Sequence, residues 1–313
     1  MKLDFSKSKI LVIGDLMLDS FFYGESKRIS PEAPVPVIHK KNLEFVLGGA
    51  ANVCNNIVAL SSNASIIGVL GDDKEGEIIL NLLSENKIFS KNVFIDKKFS
   101  TILKERILSN KIQIARIDRE DDSYRFKFSN DHIRKIEKEI KSNDIIILSD
   151  YNKGFLTNGM ISKIIKICSA NNKKIIVDPK KNSLSSYKGA DIITPNLKEI
   201  QCMTGINIRN DIHLVEICKE LIIKNNLNYI IVTKSEKGIS VIGNGVDYHF
   251  EAKEISHPDV SGAGDTVIAA LSLCLSINLT VEESVRIANL AASIVVNKVG
   301  TSTVSKNELE SII

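Results

Sequence analysis

Cysteine is scarce in this chain and follows no paired pattern. Five cysteines occur in 313 residues, an odd number, and no two have C-x-x-C spacing. Neither disulfide pairing nor a zinc site is therefore expected. We interpret the cysteines as reduced, buried thiols of a cytoplasmic protein. They are Cys54, Cys168, Cys202, Cys218 and Cys274.

Long apolar runs and blocks of like charge are also missing. No apolar run approaches the roughly 20 residues of a membrane helix, and Asp15 interrupts the amino-terminal run, which makes it a poor signal peptide. The net charge is +3, with both signs spread along the chain, so nothing favours nucleic acid as a partner. We expect a soluble cytoplasmic protein without a membrane partner, in which a local positive site for an anionic substrate remains open.

What the chain does contain is an alternation of short apolar runs with longer mixed segments. Residues 9–15, 144–150 and 173–179 are typical of buried strands, and residues 157–171 of a helix between two of them. Uniformly apolar strands that alternate with helices predict an α/β fold, with a mostly parallel central sheet covered by helices on both faces. No linker or repeat is visible, so residues 1–313 are expected to form one domain.

Two segments depart from this alternation. Residues 21–39 contain three prolines among alternating apolar residues, which is typical of extended edge strands. Residues 100–118 have the pattern of a hairpin that turns at residues 109–111. We expect both segments to form a small β flap, or lid, outside the main sheet.

Polar residues directly follow several of the apolar runs. In open parallel sheets, ligands bind beyond the carboxyl ends of the strands. The polar residues at such ends are Asp15, Asp150, Asp178, Asn196 and Thr233.

The segment "HPDVSGAGDTVIAALSLCLSI" (257–277) joins glycines and an acid to a long apolar run. Gly262 and Gly264 let the backbone approach an anion, and the free N–H groups and dipole of a helix start favour phosphate. Asp265 could then accept a proton from a sugar hydroxyl. The simpler alternative is that Ser261 or Asp265 only caps the helix, and this short pattern by itself favours it.

The segment "GGAANVCNN" (48–56) allows two interpretations as well. Gly48 and Gly49 would bring backbone N–H groups to a ligand, and Asn52 supplies both a donor and an acceptor. That combination suits sugar hydroxyls. The alternative is a plain joint between a loop and a helix.

In "TPNLKEI" (194–200), Asn196 and Glu199 have the spacing of a capping box. The functional alternative is that both residues face a nucleotide phosphate and its magnesium ion. Magnesium often binds through waters held by one or two carboxylates.

Taken together and in this order, the motifs resemble the PfkB (ribokinase-like) carbohydrate kinases. "GGAAN" (48–52) matches the amino-terminal signature of that family, and "DVSGAGDT" (259–266) matches the carboxy-terminal one. A narrower resemblance is to the kinases that phosphorylate D-glycero-β-D-manno-heptose 7-phosphate at O1. The segments similar to that subfamily are "GDLMLDSFFYGESKRISPEAPVPV" (14–37), "SDYNKG" (149–154), "DPK" (178–180), "TPNLKE" (194–199) and "VGTSTVS" (299–305).

The resemblance implies a role for each matching position. It makes Asp265 the base that deprotonates the anomeric hydroxyl, and the N–H groups of Gly262, Ala263 and Gly264 the anion hole for the γ-phosphoryl. The implied sugar contacts are Asp15, Asp19, Gly48, Gly49 and Asn52. The implied nucleotide contacts are Lys180, Asn196, Glu199, Thr233, Ser235, Glu236, Gly238 and Asn289, with Glu199 also bound to magnesium through water.

A phosphorylated sugar would also need cations. Lys104 and Arg106 share a strand face by their spacing of two, and we expect at least two candidates to converge on the substrate phosphate. The alternative for each is a solvated surface charge. The candidates are Arg28, Lys104, Arg106, Arg116 and Lys153.

The same resemblance implies ATP and Mg²⁺ as cofactors and a monovalent cation such as K⁺ near Asp259 and Ser261. It further implies a homodimer formed through the lid, and a product that feeds ADP-heptose synthesis for lipopolysaccharide core or related glycans. Some relatives carry a nucleotidyltransferase domain after the kinase, and we expect a separate enzyme to supply that step here. The alternatives are a kinase of the same family for ribose or fructose 6-phosphate, an inactive sugar-binding protein, or a dehydrogenase. The last is disfavoured because no G-x-G-x-x-G follows the first strand.

Overall fold

The computed structural model describes residues 3–110, 112–181, 183–243, 245–253, 261–298 and 300–313. The strands are β1 (Lys9–Gly14), β2 (Leu16–Ile29), β3 (Pro36–Gly49), β4 (Asn63–Ile67), β5 (Val69–Leu70), β6 (Phe94–Ile95), β7 (Ile102–Ser109), β8 (Ile112–Arg119), β9 (Ile145–Ser149), β10 (Lys174–Asp178), β11 (Ile192–Ile193), β12 (Tyr229–Thr233), β13 (Ile239–Gly243) and β14 (Val246–Phe250). The helices are α1 (Ala50–Ala59), α2 (Lys74–Glu85), α3 (Asn130–Ser142), α4 (Asn158–Ala170), α5 (Leu197–Thr204), α6 (Asp211–Asn225), α7 (Ala263–Ser276), α8 (Val281–Val295) and α9 (Lys306–Glu310).

The central sheet contains eight strands in the order β14-β13-β12-β11-β10-β9-β1-β4. The six strands from β12 to β4 are parallel, and β13 and β14 add an antiparallel edge. This confirms the predicted mostly parallel sheet. The antiparallel edge was not predicted: the apolar run at 228–238 ends as a strand at Thr233, and a short 3₁₀ helix (Ser235–Lys237) turns the chain back.

Two hydrophobic cores lie on opposite faces of this sheet. Ile10 and Val12 of β1 pack into the core formed with α1, α7 and α8, whereas Leu11 and Ile13 pack into the core formed with α4 and α6. Successive side chains of a strand point to opposite faces, so a strand buried on both faces is apolar at every position. The covering of both faces by helices is confirmed.

A second sheet, with the strand order β3-β2-β7-β8, forms the flap. β2 and β3 are long antiparallel strands, β7 lies parallel to β2, and β8 pairs with β7 as the predicted hairpin. The flap rises directly from β1, because only Asp15 separates β1 from β2. β3 in turn leads straight into α1, since Gly49 ends the strand and caps the helix.

Two smaller expectations differ from the structure. The segment 64–71 is not one strand: it breaks at Gly68, where a Cβ would lie 2.7 Å from the backbone oxygen of Gly14, and continues as β5 in a small separate sheet with β6. Four of the five cysteines are buried as expected, but Cys202 is exposed. Within the described ranges, no helix has the length and apolar character needed to span a membrane.

Candidate active site

Asp265 lies in the first turn of α7, with 6% of its surface exposed. Asn52 Nδ2 donates a hydrogen bond to its Oδ2 at 2.7 Å, and the hydroxyl of Tyr151 donates to its Oδ1 at 3.0 Å. Burial raises the pKa of Asp265 to about 6, although the bonds from Asn52 and Tyr151 and the charge of Lys180 oppose that rise. A carboxyl with such a pKa is ionised at neutral pH and sits near the optimum for a general base.

The start of α7 has no side-chain cap. Its N-cap residue is Gly262, with φ of 76°, a left-handed conformation that disfavours every residue with a Cβ. A Cβ on Gly264 would meet no atom within 4 Å, so open space lies beside the first turn. The N-cap residue therefore covers none of the first N–H groups of α7, and the carboxylate of Asp265 is bound to Asn52 and Tyr151.

A chain of side-chain hydrogen bonds joins α1 to α7. Thr266 Oγ1 donates to Asn56 Oδ1 at 2.8 Å, and Asn56 Nδ2 donates to the backbone oxygen of Asn52 at 2.9 Å. Asn52 and Asn56 are both at least 99% buried. Because Asn52 also holds Asp265, this network fixes the carboxylate relative to the end of the flap at Gly49.

Asp15, at the end of β1, anchors the loop that carries Tyr151. Its carboxylate accepts the backbone N–H groups of Tyr151, Lys153 and Phe155 at 2.9, 3.2 and 3.2 Å. Burial and the neighbouring charge of Asp150 raise the pKa of Asp15 to about 6. The carboxylate is thus engaged with backbone and shapes the site by positioning Tyr151.

Asp19 lies on β2, next to Gly48 at the end of β3. A Cβ on Gly48 would be 2.9 Å from Asp19 Oδ2, and Arg106 Nη1 donates to Asp19 Oδ1 at 2.7 Å. The guanidinium of Arg106 also lies over the ring of Phe21, 5.1 Å from its centroid. The charge of Asp19 reaches Asp265, whose pKa it helps to raise. Gly48, Asp19 and Arg106 therefore form one wall of the space beside Asp265.

Lys180 lies among three carboxylates. Its Nζ is 2.5 Å from Glu199 Oε1 and 3.6 Å from Asp178 Oδ1, and it lies over the ring of Tyr151. Burial by itself lowers the pKa of Lys180, but the charges of Asp178, Glu199 and Asp265 outweigh it and raise the pKa. Burial raises the pKa of Asp178 to about 7, Lys180 opposes that rise, and Asp265 adds to it.

Asn196 and Glu199 form the predicted capping box at the start of α5. Asn196 Oδ1 accepts the N–H of Glu199 at 2.9 Å, and Glu199 Oε2 accepts the N–H of Asn196 at 2.8 Å. The capping box is confirmed, and Glu199 Oε1 also binds Lys180. The contact of both residues with a nucleotide phosphate stays a prediction. Both residues lie at the carboxyl edge of the sheet, where Asn196 forms a bridge with Thr233.

The loop after β12 places four of the predicted nucleotide residues together. Ser235 and Glu236 are exposed, whereas Gly238, with φ of 82°, is buried. A Cβ on Gly238 would lie 1.9 Å from the backbone oxygen of Phe250, so packing against β14 requires this glycine. Asn289, on α8, donates to the backbone oxygen of Glu251 at 2.8 Å and is half-buried.

Most of the predicted phosphate-binding cations are already paired with acids. Lys104 Nζ lies 3.2 Å from Asp118 Oδ2 and 3.4 Å from Glu120 Oε2, and Lys153 Nζ lies 2.7 Å from Glu120 Oε1. The other pairs are Arg106 with Asp19, Arg116 with Asp118, and Lys153 with Asp122. Arg28 is exposed far along β2 and has no ion pair within the described part of the chain. The hairpin and the loop after β9 thus bring Lys104 and Lys153 together through a shared Glu120.

The described acidic residues of the site would hold a metal ion together with ligand or water oxygens. No group of three or more His, Cys, Asp or Glu side chains arranged for a metal occurs among the described residues. Glu199 and Asp178, which are joined through Lys180, would suit a hard cation that keeps most of its waters and phosphate ligands, as Mg²⁺ does. Asp259, a predicted neighbour of a monovalent cation, lies outside the described residues.

The structure thus brings Asp265, Asn52, Asp19, Lys180 and Glu199 to one edge of the sheet. Two further residues of this edge, Tyr151 and Asp178, had no role in the site predicted from the sequence. Both stand at or just after the end of a predicted strand, but no motif indicated that either residue lies close to Asp265.

Comparison with protein families matches residues 7–308 to a model described as pfkB family carbohydrate kinase. Among curated proteins, the "Bifunctional protein HldE" of Aliarcobacter butzleri is 40% identical over 305 residues, which cover 97% of this chain. The protein of the same name from Haemophilus influenzae is 40% identical over 317 residues, covering 99% of this chain. The matched region spans 64% of each relative's length, so these relatives are longer than the part compared.

Solved structures give the same fold at lower identity. Phosphofructokinase-2 from Escherichia coli, in complex with potassium, superposes with a TM-score of 0.81 at 19% identity, covering 97% of both chains. Ribokinase of Arabidopsis thaliana, complexed with ribose and ATP, superposes with a TM-score of 0.79 at 18% identity, covering 97% of this chain and 98% of the other. At these identities the likeness concerns the fold alone, and it confirms the predicted ribokinase-like architecture.

Proposed function

The chain belongs to the pfkB family of carbohydrate kinases, and on that basis we propose that it transfers the γ-phosphoryl of ATP to O1 of D-glycero-β-D-manno-heptose 7-phosphate. Membership confirms the predicted family and the class of enzyme, a sugar kinase, against the dehydrogenase alternative. The choice of acceptor is our proposal. The observation that carries the reaction is the buried Asp265 in the uncapped first turn of α7, beside the open space at Gly264.

Asp265 acts in this proposal as the general base. Its two hydrogen bonds leave lone pairs free, because a carboxylate can accept about four. It takes the proton of the anomeric hydroxyl while that oxygen attacks phosphorus and the ADP oxygen leaves on the opposite side. Positioning and charge stabilisation supply most of the rate.

The N–H groups of Gly262, Ala263 and Gly264 form the anion hole in this proposal. They stand at the positive end of a helix of 14 residues, and no side chain occupies them as a cap. Negative charge that builds on the transferring phosphoryl oxygens is stabilised there without reorganisation of solvent.

We assign binding of the sugar acceptor to the wall formed by Gly48, Asp19 and Arg106. Asp19 accepts hydrogen bonds from sugar hydroxyls, and Arg106 holds its carboxylate in place at 2.7 Å. Gly48 leaves room for the sugar, because a side chain there would collide with Asp19. Asp15 contributes through the loop it anchors.

On the nucleotide side, Lys180 and Asn196 face the ATP phosphates, and the loop from Thr233 to Gly238 and Asn289 border the nucleotide. Mg²⁺, when bound, would neutralise phosphate charge, and Glu199 would hold it through water. Lys180 supplies a fixed positive charge, since its neighbouring carboxylates raise its pKa. A monovalent cation near Ser261 stays a prediction.

The phosphate at C7 requires a cationic region, and we assign it to the flap. Lys104 and Lys153 lie on opposite sides of Glu120, within 3.4 and 2.7 Å of its oxygens. An incoming phosphate would compete with Glu120 for both ammonium groups. Arg28 and Arg116 are the more exposed of the predicted phosphate-binding cations. The flap would have to close to bring these two arginines near the phosphate.

We also propose that the flap forms a homodimer. β8 is the edge strand of its sheet, and Ile112, Ile114 and Ile117 are 67%, 45% and 56% exposed. An apolar edge strand with unpaired backbone groups is a ready partner for a second copy. Sedimentation velocity over a range of concentrations tests this, and a monomer at every concentration would contradict it.

The product, a heptose 1,7-bisphosphate, would feed synthesis of ADP-heptose for lipopolysaccharide core or related surface glycans in the cytoplasm. The decisive experiment measures ADP release from ATP and Mg²⁺ across C5–C7 sugars and their terminal phosphates, with ³¹P NMR to locate the new phosphate. We expect selective turnover of the heptose 7-phosphate at O1. Turnover only with an unphosphorylated sugar, or only with fructose 6-phosphate or ribose, would refute the acceptor.

A further inference from the structure

A polar cavity of about 450 Å³ lies behind the loop that carries Tyr151. Three segments and one arginine from a fourth contribute to its wall. The loop after β9 contributes Asn152, Gly154 and Leu156, the start of α4 contributes Thr157 and Asn158, the loop after β10 contributes Lys181, Ser183 and Ser186, and the arginine is Arg125.

This cavity is separate from the reaction centre but shares two loops with it. In the loop after β9, Tyr151, Lys153 and Phe155 turn their N–H groups to Asp15, while Asn152 and Gly154, which alternate with them, line the cavity. In the loop after β10, neighbouring residues likewise contact the two different sites. Lys180 points to Glu199 in the site, and the next residue, Lys181, lines the cavity.

The wall of the cavity is cationic. Arg125 and Lys181 line it, and none of its lining residues is acidic. Among the described residues, the guanidinium of Arg125 donates to the backbone oxygens of Asp122 and Tyr124, at 2.7 and 2.5 Å. Lys181 Nζ lies 3.5 Å from Asp150 Oδ2, a fully buried carboxylate behind it, and 3.1 Å from Asn152 Oδ1. Arg125 thus differs from four of the predicted phosphate-binding cations, which are paired with acids: Lys104, Arg106, Arg116 and Lys153.

Hydrogen-bond donors complete the cavity. Ser186 is 93% buried, lines the cavity, and its hydroxyl bonds to no atom of the described residues. The first N–H groups of α4, a helix of 13 residues, have no partner within the helix, and Thr157 covers only that of Met160. An unpartnered buried hydroxyl, a helix start and two cations together suit an oxyanion with several acceptor oxygens.

We propose that this cavity binds the phosphate group of a phosphorylated small molecule, and that its occupancy alters catalysis through the two loops it shares with the active site. The volume exceeds that of a bare phosphate and is in the range of small-molecule sites. The phosphate belongs to a separate metabolite in this proposal, since the acceptor's own phosphate is assigned to Lys104 and Lys153. The acceptor's phosphate is the alternative source, and kinetics distinguishes the two. The proposal does not depend on which sugar is phosphorylated.

Calorimetric titration with inorganic phosphate tests the site. The enzyme is first saturated with Mg²⁺ and a non-hydrolysable ATP analogue, so that the anion hole at α7 is filled. We expect phosphate still to bind, and R125Q to weaken it by about tenfold, since one charge-assisted donor is lost. The matched control is R134Q, an exposed arginine of α3 outside the cavity, which should leave binding unchanged.

A second variant separates binding from folding. Asn158→Asp places a carboxylate in the first turn of α4, where it should stabilise the helix and raise the midpoint of thermal unfolding, yet it should repel phosphate. Increased thermal stability with weakened phosphate binding supports the proposal. Absence of binding to the loaded wild-type enzyme, or equal binding by wild type and R125Q, would overturn it.

Steady-state kinetics distinguishes the two sources of phosphate. If R125Q raises KM for a phosphorylated acceptor but not for the same sugar without phosphate, the cavity holds the acceptor's own phosphate. If KM is unchanged and inorganic phosphate alters kcat of the wild type but not of R125Q, the ligand is a separate metabolite. If neither parameter responds, the coupling is refuted. A wrong acceptor in the sugar panel leaves the calorimetric result untouched, so the two proposals fail independently.

Discussion

The hydroxyl of Tyr151 lies 3.0 Å from Oδ1 of Asp265, across 114 residues of sequence. Asn52 holds the other carboxylate oxygen at 2.7 Å. One donor comes from the loop anchored on β1 and the other from α1, so the orientation of Asp265 depends on both ends of the flap insertion. The predictions below follow from this arrangement and from its neighbours.

Asp265→Asn should fold normally and lose about 10²–10⁴-fold in kcat, the usual contribution of a general base. The amide keeps the size of the side chain and removes only its basicity. Single-turnover kinetics with the preferred acceptor measures the loss, and circular dichroism monitors the fold. Asp247→Asn, which removes an exposed ion pair with Lys219, is the control and should retain full activity. Turnover of Asp265→Asn near that of wild type would remove Asp265 as the base.

Tyr151→Phe should shift the pH dependence of kcat/KM. Because burial raises the pKa of Asp265 to about 6, activity falls as the pH drops through that value and the base becomes protonated. The Tyr151 bond opposes this rise, so its loss moves the acid limb to higher pH. An increase of about one unit in this pKa would lower kcat/KM at pH 7 by about twofold, because half of the base would then be protonated. Tyr248→Phe, on the exposed edge strand β14, should change neither quantity. An unshifted acid limb in Tyr151→Phe would mean that the hydrogen bond does not tune the base.

Arg106→Ala should raise KM for the sugar acceptor by about ten- to a hundredfold, the equivalent of ~1.5–3 kcal/mol for one hydrogen bond to a charged group. KM for ATP should not change, because Arg106 holds Asp19 at the sugar wall. The control is Arg134→Ala, on the surface of α3. Equal effects on both Michaelis constants would indicate a general disturbance of the flap and not a sugar contact.

Alanine at the two glycines of α7 should act in different ways. Gly264→Ala should fold like the wild type, since its Cβ meets no atom within 4 Å, but should lose on the order of tenfold or more in kcat because the methyl enters the anion hole. Gly262→Ala should lower the free energy of unfolding by about 1–2 kcal/mol, since φ is 76° there. Urea unfolding and steady-state assays of both variants check this. Full activity of Gly264→Ala would place the phosphoryl elsewhere.

Glu199→Gln should increase the Mg²⁺ concentration for half-maximal activity by about tenfold or more, as lost outer-shell contacts usually do. Glutamine can still accept the N–H of Asn196 in the capping box, but it loses the ion pair with Lys180, which should lower stability by on the order of 1 kcal/mol. Glu283→Gln is a closely matched control, since Thr280 and Glu283 form the same box on α8. A Mg²⁺ requirement that changes equally in both variants would assign Glu199 to capping alone.

The sequence predicts much of the fold because its strands are buried on both faces. Such strands are apolar at every position and are recognisable without knowing their neighbours. The edge strand β14 escaped prediction because it is mostly exposed and lacks that signal. The strand β13 is buried at every position but was not separated from the polar loop that precedes it. The break at Gly68 was also missed, because nothing else interrupts the apolar run at 64–71.

The candidate site was predictable where one segment carries both the backbone geometry and the side chain, as at Gly262 and Asp265. It was not predictable where contacts depend on register. The spacing of Lys104 and Arg106 gives a shared face, but their acidic partners follow from the pairing of β7 with β8 and of β2 with β7. The role of Tyr151 required the path of a loop relative to a distant helix.

The long β2–β3 pair of the flap leaves the body and returns to it at one place, because Leu16 pairs with Gly49 where β2 begins and β3 ends. Its far end, where Ile29 pairs with Pro36, lies about 43 Å from that pivot at ~3.3 Å per residue, whereas Asp19 lies only about 10 Å away. A rotation of about 5° would move the tip by ~4 Å and Asp19 by less than ~1 Å. The distance from the pivot to the tip is thus about four times the distance from the pivot to Asp19. A large displacement at the tip would therefore become a small adjustment of the Asp19 carboxylate, which we propose faces the sugar.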